Sequence, residues 1–258
     1  MVKKIIFVLA VMSVAIKSKC SERATGSTAP HRQFIWNVRR PDSVRVFAWK
    51  GMLEHLKQTR CTEFQLPATG ISSEELNAVF DPIPLAMKAV ITKFHVGDNL
   101  YLDRLPTTLA LCTQLRQLAA EGCRLFEALP LATFNQLDRL NVAGNRLSEL
   151  HDLDHLPLLT KLYADGNELT RLDLSHTINL RVLNVAGNLQ LTDLTGIQNL
   201  THLTELDISA TNFGDFNTLA TLPNLSSLTV NANAHLPVAL LHNPNLTIIR
   251  DDEEAVNT

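Results

Sequence analysis

The 258-residue chain carries 23 Lys and Arg against 26 Asp and Glu, for a formal net charge of −3, and 45% of it is hydrophobic while only 5% is aromatic. This balance argues against a polybasic nucleic-acid-binding chain and against a disordered one, and the length is ample for a sizeable core. The apolar residues are mostly leucine, and their spacing carries most of the information.

In chain order, Lys3 and Lys4 precede a twelve-residue apolar run from Ile5 to Ile16. That pattern predicts a signal peptide over 1–20, because the run suits a targeting segment and is too short to span a bilayer. Small side chains at Ser13 and Ala15, or at Ser18 and Cys20, offer two cleavage registers; acylation at Cys20 is the alternative, and Lys19 fits it poorly. Removing 1–20 takes four lysines and no acid, so the mature chain is more acidic than the full one. No other stretch is apolar enough to span a membrane, which predicts a mature protein that is secreted, periplasmic or at the cell surface.

Residues 21–60 read as a polar linker, SERATGSTAP, followed by an N-terminal cap holding Phe34, Trp36 and Trp49. A cap is expected where a solenoid would otherwise expose its first turn. From Cys61 to Ile249 the chain repeats itself. Leu137, Leu140, Val142, Asn145 and Leu147 return as Leu159, Leu162, Ala164, Asn167 and Leu169. The phrase begins again at 91, 115, 137, 159, 180, 203, 225 and 246, in steps of 24, 22, 22, 21, 23, 22 and 21 residues. A period near 22 is the signature of a solenoid.

Within the phrase, the Leu-x-apolar pair alternates at period two and predicts a short strand with one buried face. The following Asn is expected to turn inward and bond backbone groups of adjacent turns, as a ladder of Asn99, Asn145, Asn167, Asn188 and Asn233, with Cys123 and Thr211 substituting. In the returns, leucines recur every three residues, as at Leu150, Leu153, Leu156, Leu159 and Leu162, which predicts 3₁₀ or short helical segments. Cys61, Cys112 and Cys123 are expected to be buried free thiols, although export would permit a disulfide. Residues 250–258 read as an acidic tail containing Asp251, Asp252, Glu253 and Glu254.

These residues resemble the leucine-rich repeat superfamily, and the spacing over 194–213 is most similar to its short 22-residue, internalin-like class. The resemblance implies an α/β solenoid with a curved parallel β-sheet on the concave side, 3₁₀ or short helical convex returns, and a non-enzymatic, protein-binding role. NVAGN at 141–145 and 184–188 gives the repeats a bacterial character.

On such a sheet the residues flanking the buried pair form concave columns. Arg139, Asn141, Lys161, Tyr163, Asp165, Asn184, Glu205 and Asp207 make the most interface-like set, since Tyr and Arg are favoured anchors in protein interfaces. The expectation is an exported bacterial protein that binds a protein partner through these residues, with a host-directed role within its scope. The alternative is a structural or envelope component without a dedicated partner. No cofactor, metal or nucleic acid is expected. His151 and His155 bracket two aspartates but fall on a convex return and lack a zincin glutamate, so they read as solvated. The sequons at Asn199, Asn224 and Asn245 fall in the phrase N-L-T/S, which the repeats use for packing. No nucleophile elbow, phosphate loop or catalytic carboxylate pair is present.

Overall fold

The computed structural model describes residues 62–251. The predicted signal peptide, linker and cap, Cys61 and the acidic residues 252–254 lie outside the described residues. Among the described residues the principal element is one parallel sheet. Its strands are β1 (Glu63–Gln65), β2 (Lys93–His95), β3 (Gln117–Ala119), β4 (Arg139–Asn141), β5 (Lys161–Tyr163), β7 (Val182–Asn184), β9 (Glu205–Asp207), β10 (Ser227–Asn231) and β11 (Thr247–Asp251), in that order across the sheet. Two further strands, β6 (Arg171–Asp173) and β8 (Asp193–Thr195), pair separately on the return side.

The register follows the leucine phrase. Phe94, Leu118, Leu140, Leu162, Leu183, Leu206 and Leu228 stand opposite one another from strand to strand, and all are buried. With the second apolar position, Val96, Ala120, Val142, Ala164, Val185, Ile208 and Val230, they form one continuous core running the length of the stack. The apolar position after Leu118 is Ala120, not Ala119, which is only half-buried.

The first turn differs from the rest because Phe64 pairs with Phe94, a step of 30 residues. The extra length forms α1 (Ser73–Phe80) and α2 (Leu85–Lys88). Ser72 and Glu75 make a reciprocal capping box at the start of α1, satisfying two backbone N–H groups the helix leaves free. Pro82 and Pro84 stop the helix from continuing. Its last residue, Phe80, stands edge-on to both Phe64 and Phe94, with ring centroids 5.2 Å apart in each case, while Phe64 and Phe94 stack at 5.0 Å. Lys88 is buried here, with Nζ donating to the Asp81 carbonyl at 3.0 Å and lying 5.0 Å from the Phe80 ring centre. Burial pushes its pKa down, and nearby Asp81 partly opposes this.

The asparagine ladder forms over four turns. Asn167 Nδ2 donates to the carbonyls of Val142, Ala164 and Asp165, and its Oδ1 accepts from Leu147 N at 3.0 Å. Asn145 and Asn188 repeat the pattern one turn either side, and Asn99 bonds Leu66, Val96, Thr69 and Ile71. Cys123 takes the ladder position of its turn, its thiol directed at the Val96 and Glu121 carbonyls. Just before the ladder residue the backbone turns at positive φ, 60° at Gly166, a conformation that glycine adopts without steric cost.

Three expectations need correcting. Asn233 is not a rung: it is exposed, and Asn231 instead accepts from Ala210 N and donates to the Thr211 carbonyl at 3.0 Å. Thr211 satisfies the Ile208 carbonyl but does not reach back a turn as an asparagine would. In the final turn Ile248, not Ile249, stands opposite Leu228; Ile249 pairs with Thr229 and is exposed, because the last step is one residue shorter than the leucine phrase suggests.

The returns are mostly short 3₁₀ turns at Thr107–Leu111, Leu131–Thr133, Leu153–His155 and Ile197–Asn199, joined by one-turn helices α3 (Phe216–Leu219) and α4 (Val238–Leu241). β6 and β8 depart from this. After Leu169 the sequence runs Arg171-Leu172-Asp173-Leu174, alternating at period two, and that pattern gives an extended segment. Cys112 and Cys123 are buried free thiols; burial pushes their pKa values up to about 12 and about 11. No helix among the described residues is long and apolar enough to cross a membrane.

Candidate concave binding surface

The sheet register brings the eight candidate residues onto four consecutive strands. Arg139, Lys161, Val182 and Glu205 form one column, and Asn141, Tyr163, Asn184 and Asp207 the next. Neighbours within a column are about 4.8 Å apart, the spacing of paired strands. Asp165 follows at the strand exit, where its carbonyl accepts from Gly144 N at 2.7 Å. Arg139 and Glu205 are exposed and the other six are half-buried, as expected for side chains standing on a sheet floor. Val182 is buried between Lys161 and Glu205, whose aliphatic stems can cover it.

Several of these side chains are held by their own turns. Asn141 Oδ1 accepts from Ala143 N, Asn184 Oδ1 from Ala186 N, and Asp207 Oδ1 from both Ser209 N and Ser209 Oγ. These local bonds fix the side chains before any partner arrives. Burial pushes the Asp165 pKa up, and the nearby Asp207 charge adds to the shift against the pull of its own backbone N–H.

Ionic pairing divides the concave face. Toward its N-terminal end the charged side chains have partners within the chain, Glu63 bound by Lys93 and Glu121 by His95, each at 3.0 Å. Burial opposes ionisation of Glu121, but the hydrogen bond from His95, the Glu121 backbone N–H and the His95 charge outweigh it, so its pKa is lowered. In the centre, Arg139 approaches only its neighbour Asp138, at 3.7 Å, and Lys161 and Glu205 make no ion pair among the described residues. Arg139 and Lys161 therefore share the strand-entry column with Glu205, and further carboxylates lie near the strand exits at Asp165 and Asp207.

The His151–His155 segment does not assemble as a two-histidine site. His151 turns to Glu149, His155 bonds Asp154, and the group lying within 4.8 Å is Asp152, Asp154 and His155, all exposed.

Residues 178–221 match the family model described as Leucine Rich repeats (2 copies). A comparison with curated protein sequences finds no match. Among solved structures, the chain is similar to an internalin C2 (inlC2) from Listeria monocytogenes, with a TM-score of 0.60 and 22% identity, covering 77% of this chain and 84% of that one. It is also similar to an internalin (inlF) from the same species, with a TM-score of 0.58 and 21% identity, over 69% of this chain and only 54% of that one. A third similar structure is the LRR ectodomain of the plant membrane receptor kinase GASSHO1/SCHENGEN3 from Arabidopsis thaliana, in complex with Casparian strip integrity factor 2. Its TM-score is 0.51 at 18% identity, over 73% of this chain and 29% of that one. At these identities the likeness is one of fold. The matched repeats, the stacked parallel strands and the asparagine ladder give the chain a leucine-rich repeat solenoid fold, like that of the internalin structures.

Proposed function

We propose that the chain is an exported, non-enzymatic binding protein that takes a protein partner on the centre of its concave sheet. Arg139, Asn141, Lys161, Tyr163, Asp165, Asn184, Glu205 and Asp207 form the contact set. The observation that carries this reading is the pairing pattern: charged side chains at one end of the face are partnered within the chain, while Lys161 and Glu205 at its centre make no ion pair among the described residues. A preset polar floor around a single tyrosine suits an interface in which a few anchors provide most of the energy. The charge order favours a partner segment running along the strands, with acidic side chains over Arg139 and Lys161 at the entries and basic ones over Asp165 and Asp207 at the exits. Export rests on the apolar run behind Lys3 and Lys4, and the same fold in a receptor ectodomain solved with a bound factor supports a protein partner. A host-directed role of a bacterial protein fits this arrangement.

The test is quantitative affinity capture from a host extract and from an envelope extract of the producing cell, comparing the wild type with an Arg139→Ala/Tyr163→Ala variant. The expected result is a partner enriched by the wild type and bound about tenfold or more weakly by the variant, whose melting curve is unchanged. Equal recovery by both proteins would overturn the reading.

A further inference from the structure

We propose that the flank of the solenoid just beyond β2, β3 and β4 is a second docking surface, separate from the concave sheet, for an acidic protein segment carrying an apolar side chain. After each ladder position the chain turns inward at a buried leucine: Leu102, Leu125 and Leu147. The residues immediately before these are Tyr101, Arg124 and Arg146. Backbone bonds from Arg124 N to the Leu102 carbonyl, 2.9 Å, and from Arg146 N to the Leu125 carbonyl, 2.8 Å, hold them on neighbouring levels. Phe126 follows Leu125 and turns outward again. Leu100 is there because the turn after Asn99 is one residue longer than the turn after Asn145.

The surface so formed combines two features that seldom coincide on an inert face. Tyr101, Leu100 and Phe126 are 69%, 59% and 55% exposed, three large apolar groups on two neighbouring turns. Arg124 and Arg146 beside them make no ion pair among the described residues, whereas Arg104 just beyond is held by Asp103 and Glu127 at 3.4 and 3.7 Å. The equivalent position of the next turn is Glu168, which ends the basic strip. In a chain of net charge −3 this is a local cationic island with aromatic neighbours. Arginine and aromatic side chains are the groups enriched at interface anchors. Charge complementarity selects an acidic occupant, and the exposed rings select one with an apolar side chain to cover them. A nucleic acid is disfavoured, because a phosphate backbone is held by many cations and here two unpaired ones are bounded by Asp103, Glu127 and Glu168.

The probe is a short fluorescent peptide of aspartates and glutamates around a central Trp-Leu pair, titrated by anisotropy at low salt. Comparison probes replace the acids with lysines or the Trp-Leu pair with Gly-Ser. The wild type is expected to bind the first probe saturably and both comparison probes about tenfold or more weakly. Arg124→Glu/Arg146→Glu and Tyr101→Ser/Phe126→Ser should each lose about tenfold or more, with unchanged melting curves, since all four side chains are exposed. Arg139→Ala/Tyr163→Ala should bind the peptide normally, which separates this surface from the concave one. Absence of saturable binding, equal binding by the flank variants, or loss in the concave variant alone would overturn the proposal. So would a single-stranded oligonucleotide that binds through the same arginines.

Discussion

Phe94→Ala is expected to destabilise the solenoid by about 3–5 kcal/mol, the range for removing a large buried aromatic side chain. Phe94 is 1% exposed and occupies the inward position of β2, where it stacks on Phe64 and meets the edge of Phe80. Its removal leaves a cavity where the strand stack, the capped helix α1 and the first turn come together. Elsewhere the inward position is a leucine facing leucines, but here three rings interlock at 5.0–5.2 Å and little can relax into the gap. Phe94→Leu fills most of the volume and should recover much of the loss. Chemical denaturation followed by circular dichroism checks this; an unfolding midpoint within error of the wild type for Phe94→Ala would show that the aromatic cluster does not support the stack.

Asn167→Ala is expected to cost about 1–3 kcal/mol, since it leaves a buried backbone N–H without a partner. Leu147 N would lose its acceptor, while the Val142, Ala164 and Asp165 carbonyls would each lose one of two donors, keeping Asn145 Nδ2, Asn188 Nδ2 and Gly144 N. The first two carbonyls lie on different turns, so the damage reaches two strands. For a core of this size the loss corresponds to about 2–12 °C in melting temperature. Asn233→Ala is the internal control: its side chain is exposed, and the change should stay within about 0.5 kcal/mol. Comparable melting shifts in the two variants would mean that ladder geometry is not what these residues contribute.

The strand register and the concave columns were legible in the sequence because one constraint fixes both. A period-two pair repeated every 22 or so residues leaves a single way to align neighbouring strands, and the outward residues follow from the inward ones. The failures lie where spacing changes. Asn231 and Asn233 are both asparagines near a strand end, and only the longer strand β10 decides that the earlier one bonds the neighbouring turn. Ile248 and Ile249 are adjacent and equally apolar, so pattern alone leaves the register of the last strand open. The β6–β8 pair was signalled by the alternation around Leu172 and Leu174, which the period-three reading of other returns obscured. The capping box of α1 was signalled by Ser72 and Glu75. The exposure of Tyr101 and Phe126 had no such signal: aromatic residues in a repeat array are ordinarily core, but these flank the inward Leu102 and Leu125 and so face out. Pairing on the concave face was equally invisible, because His95–Glu121 and Lys93–Glu63 depend on distances across turns.

The stepwise register also bears on how the chain reaches its folded state. Beyond the first pair, every strand of the main sheet meets its neighbour after 20–24 residues, so each closure costs about the same modest loop entropy and none waits for distant parts of the chain. Growth can begin at any well-formed turn and extend in both directions. The run from Leu140 to Leu183, where ladder asparagines occupy consecutive turns, is the natural nucleus. The Phe64–Phe94 closure, 30 residues long and dependent on a helix, is the slowest local step. The substitution of Thr211 for asparagine marks a weak joint, where a partly formed stack can pause before the last two strands are added.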